Sequence, residues 1–270
     1  MNWGTMNRAE RDAAYNNSAA VVNSPALNAA REAASAEFRA AHAGKLDLRY
    51  GPRERNTLDL FPAANPNAPC LVFIHGGYWQ RNSKEQFASL IAGPYAHGWA
   101  AALPGYTLGP DATLTEITAE IHASLDWLAQ HGPSHGIAGP IVLSGWSAGG
   151  HLTAQCLGHP NVVAGLAISG VFELGPVRDT YLNEKLLLTD DEVASLSPLR
   201  LPVVNKPLAI AYGTAELPPL VSDSRDLHAK RAAAHAPGPL LPIPGANHFT
   251  IVHELRDPDG ILTRQLQLLA

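Results

Sequence analysis

Apolar and polar positions follow a recognisable rhythm from about residue 45 onward. Leu46–Tyr50 and Thr57–Phe61 are short alternating runs on either side of a Gly51-Pro52 turn, which predicts an opening hairpin. Cys70-Leu71-Val72-Phe73-Ile74 is apolar at every position, the pattern of a strand covered on both faces of a parallel sheet. Helical and strand patterns then alternate. Helices are predicted over Ser83–His97, with Ser83 as cap, over Thr113–His131, and from about Pro219 to His235. Strands are predicted at Trp99–Leu103, 141–144, Val162–Ser169, Leu208–Tyr212 and Leu240–Ile243, and residues 248–269 are expected to be helical in two pieces. Residues 171–206 interrupt the rhythm with an irregular, partly helical excursion that reads as a small cap. Such alternation argues an α/β architecture, a mostly parallel central sheet with helices on both faces. The expected organisation is an N-terminal helical arm, 1–44, and one domain, 45–270, carrying the cap.

One joint in this pattern has chemical content. Ile141-Val142-Leu143 runs into Gly145-Trp146-Ser147-Ala148-Gly149-Gly150, and a helix-compatible segment comes next. Strand, glycine-flanked turn with a serine at its apex, then helix is the arrangement of a nucleophile elbow. Glycines at 145 and 149 remove the Cβ atoms that would collide where strand and helix nearly touch. The bland alternative for Ser147 is a turn serine in a tight connection, so partners decide the matter.

In parallel sheets reactive groups gather beyond the carboxyl ends of the strands. His75-Gly76-Gly77-Tyr78-Trp79 comes after the 70–74 strand, Glu216 after the 208–212 strand, and His248 after the last strand. A serine hydroxyl needs a base, and the base needs an orienting acid. Ser147, Glu216 and His248 occur in the chain order nucleophile, acid, histidine. Backbone N–H groups of the His-Gly-Gly segment and of Ala148 are expected to face a developing oxyanion, each such donor being worth about 3 kcal/mol. Asp223 is set aside as acid because it lies helical turns beyond the strand end. His75 is expected to hold structure through a ring hydrogen bond. Tyr78, Trp79 and Tyr106 are expected to line the substrate pocket rather than serve only as core aromatics; Trp146 either joins them or packs under the elbow.

Composition narrows the function classes. Of 270 residues, 46% are hydrophobic, and the net charge is −5 with no basic cluster, which argues against nucleic acid and anionic membrane surfaces as partners. No run approaches the ~18 apolar residues of a membrane helix and the N-terminus lacks a signal-peptide core, so a cytoplasmic protein is expected. Cys70 and Cys156 sit in apolar stretches and read as buried thiols. His151, Cys156 and His159 match no usual metal-ligand spacing, and no metal is expected.

HGGYW, GWSAGGH, the Gly213-Thr214-Ala215-Glu216 segment and Gly245-Ala246-Asn247-His248-Phe249 resemble the α/β-hydrolase superfamily throughout 45–270. HGGYW, Asp12-Ala13-Ala14-Tyr15-Asn16-Asn17 and Ser197-Pro198-Leu199 resemble its kynurenine formamidase (arylformamidase) branch and bacterial carboxylesterase relatives. The resemblance implies hydrolysis of small esters or aryl formamides through an acyl-enzyme, without cofactor, and puts the oxyanion donors on Gly77, Tyr78 and Ala148. It also implies that Tyr15, Asn16 and Asn17 close over the pocket mouth. The acid segment departs from the family's pattern: Glu216 replaces the usual Asp, and Leu217-Pro218-Pro219-Leu220 replaces more polar neighbours. The expected partner is a small ester or amide; monomer and homodimer both stay open. The alternative from another class is a catalytically inactive ligand-binding protein on the same fold.

Overall fold

The computed structural model describes residues 3–270. The sheet strands are β1 (Lys45–Arg49), β2 (Thr57–Phe61), β3 (Cys70–Ile74), β4 (Ala100–Pro104), β5 (Ile141–Trp146), β6 (Val162–Ile168), β7 (Leu208–Gly213) and β8 (Leu240–Ile243). They form one eight-stranded sheet in the order β1-β2-β4-β3-β5-β6-β7-β8. The opening hairpin is antiparallel and β2 runs antiparallel to β4, while β3 through β8 pair with one another in parallel. Every residue of β3, β4, β5 and β7 is buried, as unbroken apolar runs require in a sheet covered on both faces. Alternate residues feed two core layers: Val72 and Ile74 pack on one face, Leu71 and Phe73 on the other.

The helices are α1 (Arg8–Ala14), α2 (Asn17–Ala20) and α3 (Ser24–Ala41) in the N-terminal segment, then α4 (Ala92–Ala96), α5 (Leu114–His131) and α6 (Ala148–Cys156) between the strands. Residues 171–206 hold three short helices, α7 (Leu174–Arg178), α8 (Asn183–Leu186) and α9 (Asp190–Leu196), and α10 (Pro218–Ala233), α11 (His253–Arg256) and α12 (Ile261–Gln267) complete the chain. Thr113 caps α5 reciprocally with Glu116. The helix expected over 83–97 is instead a 3₁₀ segment, Lys84–Ile91, with α4 directly after it. Pro94 has no N–H for a carbonyl one turn back, so it falls in the first turn of a fresh helix, where that donor is not needed. β5 runs two residues further than its predicted end, because Trp146 pairs with Ile168 and the Ser147 N–H donates to the Ile168 carbonyl at 2.8 Å.

The N-terminal helices lie on the sheet-bearing body. Along α3, the Ser35 and Ser89 hydroxyls meet at 3.0 Å and Arg31 Nε donates to the Gln86 carbonyl at 3.1 Å. Asp12 accepts from the Tyr181 N–H at 2.7 Å, joining α1 to the 171–206 excursion. A buried charge cluster fastens the same region. The Lys84 ammonium, 3% exposed, lies 2.6 Å from Asp47, 2.8 Å from Asp59 and 2.6 Å from Glu85, and the fully buried Asp59 also pairs with Arg39 of α3. Such pairs are worth little until one partner is removed, when the other is left uncompensated. Lys84→Met is therefore expected to cost about 3 kcal/mol in urea unfolding, and Asp59→Asn in that background to recover part of the loss. Independent, additive losses from the two substitutions would contradict this.

Candidate active site

The elbow is built by close packing. A Cβ on Gly149 would lie 2.0 Å from the Ile74 carbonyl oxygen, and one on Gly145 would lie 2.4 Å from that of Gly149, so only glycine lets α6 start so near β3 and β5. Ser147 at the apex takes φ +59° and ψ −117°, a costly conformation for a residue with a Cβ. The loop after β3 has positive φ at successive residues: Gly77 at +127°, Tyr78 at +50° and Trp79 at +57°.

Ser147 and His248 line one cavity of about 120 Å³. His248, on the loop after β8, holds Glu216 Oε2 at 2.9 Å through Nδ1. A carboxylate only accepts, so Nδ1 carries the proton and Nε2 is the unprotonated nitrogen of the neutral ring. The Glu216 side chain is fully buried, and its Oε1 accepts from the Gly213 N–H at 2.7 Å and the Ser169 hydroxyl at 2.5 Å. Ser169, just past β6 at φ +50°, was missed in the sequence; the strand-end rule that singled out Glu216 also applies to it. Trp146 sends its indole N–H to the His248 carbonyl at 2.8 Å, packs 4.8 Å from the His248 ring and also lines the cavity, so it both lies beneath the site and faces it.

Asp223 takes a different role. Its Oδ2 accepts the N–H groups of Phe172 and Glu173 at 2.7 and 3.1 Å, tying α10 to the start of the 171–206 excursion. His75 does not line the cavity: Nδ1 bonds the Gly76 carbonyl at 2.9 Å, the ring stacks on Tyr106 at 4.2 Å, and burial pushes its pKa down to about 3. It stays neutral and unavailable for proton transfer.

The pocket expectation for Trp79 and Tyr106 is corrected. Neither lines the cavity beside Ser147. The left-handed backbone at Tyr78 and Trp79 turns the Trp79 indole inward, where it meets His151 edge-on at 5.0 Å. Tyr106 is buried behind the loop, and its hydroxyl donates to the His75 carbonyl at 2.9 Å. Tyr78 and Gly77 do line the cavity, and Ala148 begins α6 beside Ser147. The remaining wall comes from Asn17, Ser18 and Asn28 of the N-terminal segment, and from Arg81, Asn82 and Phe249. Tyr78 is clamped by that segment: its hydroxyl donates to the Tyr15 carbonyl at 2.7 Å and accepts from Asn17 Nδ2 at 2.9 Å. Of the three residues expected at the pocket mouth, Asn17 reaches the cavity and Tyr15 supports it from behind, whereas Asn16 caps α2.

Against known proteins, the BD-FAE family model matches residues 58–164. The chain is 29% identical to a kynurenine formamidase of Salmo salar over 82% of this chain and 80% of that one, and 26% identical to one of Danio rerio with the same coverage. A structure from Silicibacter sp. tm1040, provisionally described as a thioesterase, superposes with TM-score 0.84 at 29% identity, over 96% of this chain and 99% of that one. Esterase B of Lactobacillus rhamnosis, solved with an inhibitor, superposes with TM-score 0.72 at 22% identity, over 93% and 94%. The chain has the α/β-hydrolase fold. Within that fold it is similar to kynurenine formamidases and esterases, and no helix among the described residues is long and apolar enough to cross a membrane.

Burial raises the Asp223 pKa from 3.8 to about 7. Native Asp223 therefore keeps a proton that the unfolded chain has lost, so its contribution is complete below pH 3.8 and is lost as pH rises through about 7. Asp223→Asn keeps an acceptor without the charge. Urea midpoints taken from pH 4 to 8 are expected to show the variant gaining on the wild type across that window and levelling above it. Parallel curves would sink the assignment.

Proposed function

We propose that this protein is a serine hydrolase that cleaves small carboxylic esters or aryl formamides through an acyl-enzyme. One observation carries the reading: His248, bonded to the buried Glu216, shares a cavity with a serine held at φ +59° on a strand–helix elbow. In the proposed reaction Ser147 attacks the carbonyl carbon while His248 Nε2 takes its proton. Glu216 fixes the tautomer and stabilises the imidazolium. The N–H groups of Gly77, Tyr78 and Ala148 receive the charge that develops on the carbonyl oxygen. His248 then returns the proton to the leaving alkoxide or amine, and a water deprotonated by the same ring releases the acid.

Glutamate serves here in place of the shorter acid because both its oxygens have work: one holds His248, the other is anchored by Gly213 and Ser169. Trp146, Tyr78 and Phe249 supply apolar faces for an aryl leaving group, in place of Trp79 and Tyr106. The small cavity favours a formyl or acetyl group over longer acyl chains. The similarity to kynurenine formamidases and esterases supports the same reaction class.

Ser147→Ala is expected to abolish both turnover of 4-nitrophenyl acetate and labelling by a fluorophosphonate; labelling that persists in the variant would refute the nucleophile. The value of kcat/KM is expected to fall steeply from acetate to butyrate esters, and butyrate as best substrate would overturn the short-acyl reading. Ser169→Ala removes one hydrogen bond to a charged group, about 1.5 kcal/mol, so kcat should drop roughly tenfold with KM little changed. An unchanged kcat would reduce Ser169 to a bystander.

A further inference from the structure

Two peptide planes beside Ser147 are held from their carbonyl sides. The loop after β3 runs against the nucleophile, so that a Cβ on Gly76 would lie 3.1 Å from Ser147 Cβ. The Gly76 carbonyl accepts two hydrogen bonds, from Asn82 Nδ2 at 3.0 Å and from His75 Nδ1 at 2.9 Å. The Gly77 carbonyl accepts the Gln80 N–H at 3.0 Å. A trans peptide is planar, with its N–H opposed to its C=O. Fixing those two oxygens therefore aims the N–H groups of Gly77 and Tyr78 the other way. Both residues line the cavity, and among the described residues neither N–H makes a hydrogen bond.

Asn82 is itself held still. It takes φ +74°, a left-handed conformation that asparagine tolerates better than most residues. Its own carbonyl accepts from Arg55 Nη2 at 2.6 Å, while Arg55 Nε donates to the Tyr106 carbonyl at 2.7 Å. Ser83, next in the chain, caps the 3₁₀ segment, and its N–H donates to Gln86 Oε1 at 3.0 Å. The amide is packed as well as bonded, since a Cβ on Gly77 would meet Asn82 Nδ2 at 2.8 Å. A hydrogen bond to a carbonyl also polarises its peptide, which strengthens the N–H on the far side as a donor.

Taking Ser147 as the nucleophile proposed above, we infer that Asn82 is a positioning residue for the hydrolysis, its amide fixing the Gly76–Gly77 peptide so that the Gly77 N–H meets the oxyanion. Asn82 does not touch the reacting atoms; it acts through that peptide plane. His75 bonds the carbonyl of the residue next to it and closes a local turn. Asn82 reaches the same oxygen from the far end of the loop, on a backbone tied by Arg55 to the start of β2. It is the bond that refers the donor to the rest of the fold.

The test uses a matched pair of inhibitors. With 2,2,2-trifluoroacetophenone, Ser147 Oγ adds to the carbonyl carbon, the serine proton passes to His248 Nε2, and the carbonyl oxygen becomes the oxyanion. Acetophenone fills similar space and stays a ketone. The ratio of their inhibition constants reads oxyanion stabilisation and cancels packing in the pocket. Asn82→Gly keeps a residue free to adopt positive φ and removes the amide; Asn82→Asp keeps the size and puts an acceptor where the donor was. Removing an oxyanion donor outright costs about a hundredfold or more, and misaligning one costs less. The advantage of the trifluoro ketone and kcat for 4-nitrophenyl acetate are therefore expected to fall together, roughly tenfold in Asn82→Gly and further in Asn82→Asp, with KM and the urea midpoint little changed. An unchanged inhibitor ratio in Asn82→Gly, whether kcat holds or falls, overturns the inference and leaves the hydrolase reading standing. A loss confined to Asn82→Asp marks a charge effect and overturns it too. If the wild type cleaves neither esters nor formamides and resists a fluorophosphonate, the hydrolase reading itself fails and this inference with it.

Discussion

The site depends on one contact that admits no side chain, the seating of Gly149 under the Ile74 carbonyl. Because α6 starts there, β5, α6 and the end of β3 occupy nearly the same place, and the loop after β3 has nowhere to go but beside Ser147. The strain at Ser147 and the positive-φ run at 77–79 are the two sides of this fit. A strained turn persists only where its surroundings over-determine it. Here they do: β5 is hydrogen-bonded to β3 and β6, and the Ser147 N–H extends the ladder with β6.

Much of this was legible in the sequence because a parallel sheet sorts chemistry by position. Five consecutive apolar residues at 70–74 announce a buried strand, and the residues just past the end of such a strand face the crevice. Glu216 and His248 obey the same rule, and the structure brings both to the neighbourhood of Ser147. Trp79 defeated the reading because adjacency in sequence says nothing about direction once φ becomes positive, and Tyr106 because its ring and hydroxyl are taken up by His75 behind the loop. Two left-handed residues send the Trp79 ring into the core, and residue type alone carries no sign of that. Ser169 was visible in principle, standing at a strand end like the others, but a lone serine has no distinctive neighbours.

The N-terminal segment marks a different limit. Its pattern predicted helices without a core of their own, which is what α1 to α3 are. That Asn17, Ser18 and Asn28 reach the cavity depends on contacts with residues dozens of positions away, such as Ser35 with Ser89 and Asp12 with Tyr181. No local periodicity encodes such docking.

Two buried cations show how the same segment serves both stability and chemistry. Lys84 is surrounded by Asp47, Asp59 and Glu85, so its charge is cancelled where it stands and acts as a fastener. Arg31 is also buried but meets a carbonyl, an amide and two aromatic faces. Neutral partners satisfy its N–H groups, and Glu32 is the carboxylate that acts on its charge. Both contacts tie α3 to the 3₁₀ segment, through Asp59 and Arg39 in one case and Gln86 in the other. Loosening α3 would therefore act on the site twice, by withdrawing Asn28 from its wall and by freeing the segment that clamps Tyr78. The arm is a structural part of the pocket, and its docking energy is coupled to whatever the pocket binds.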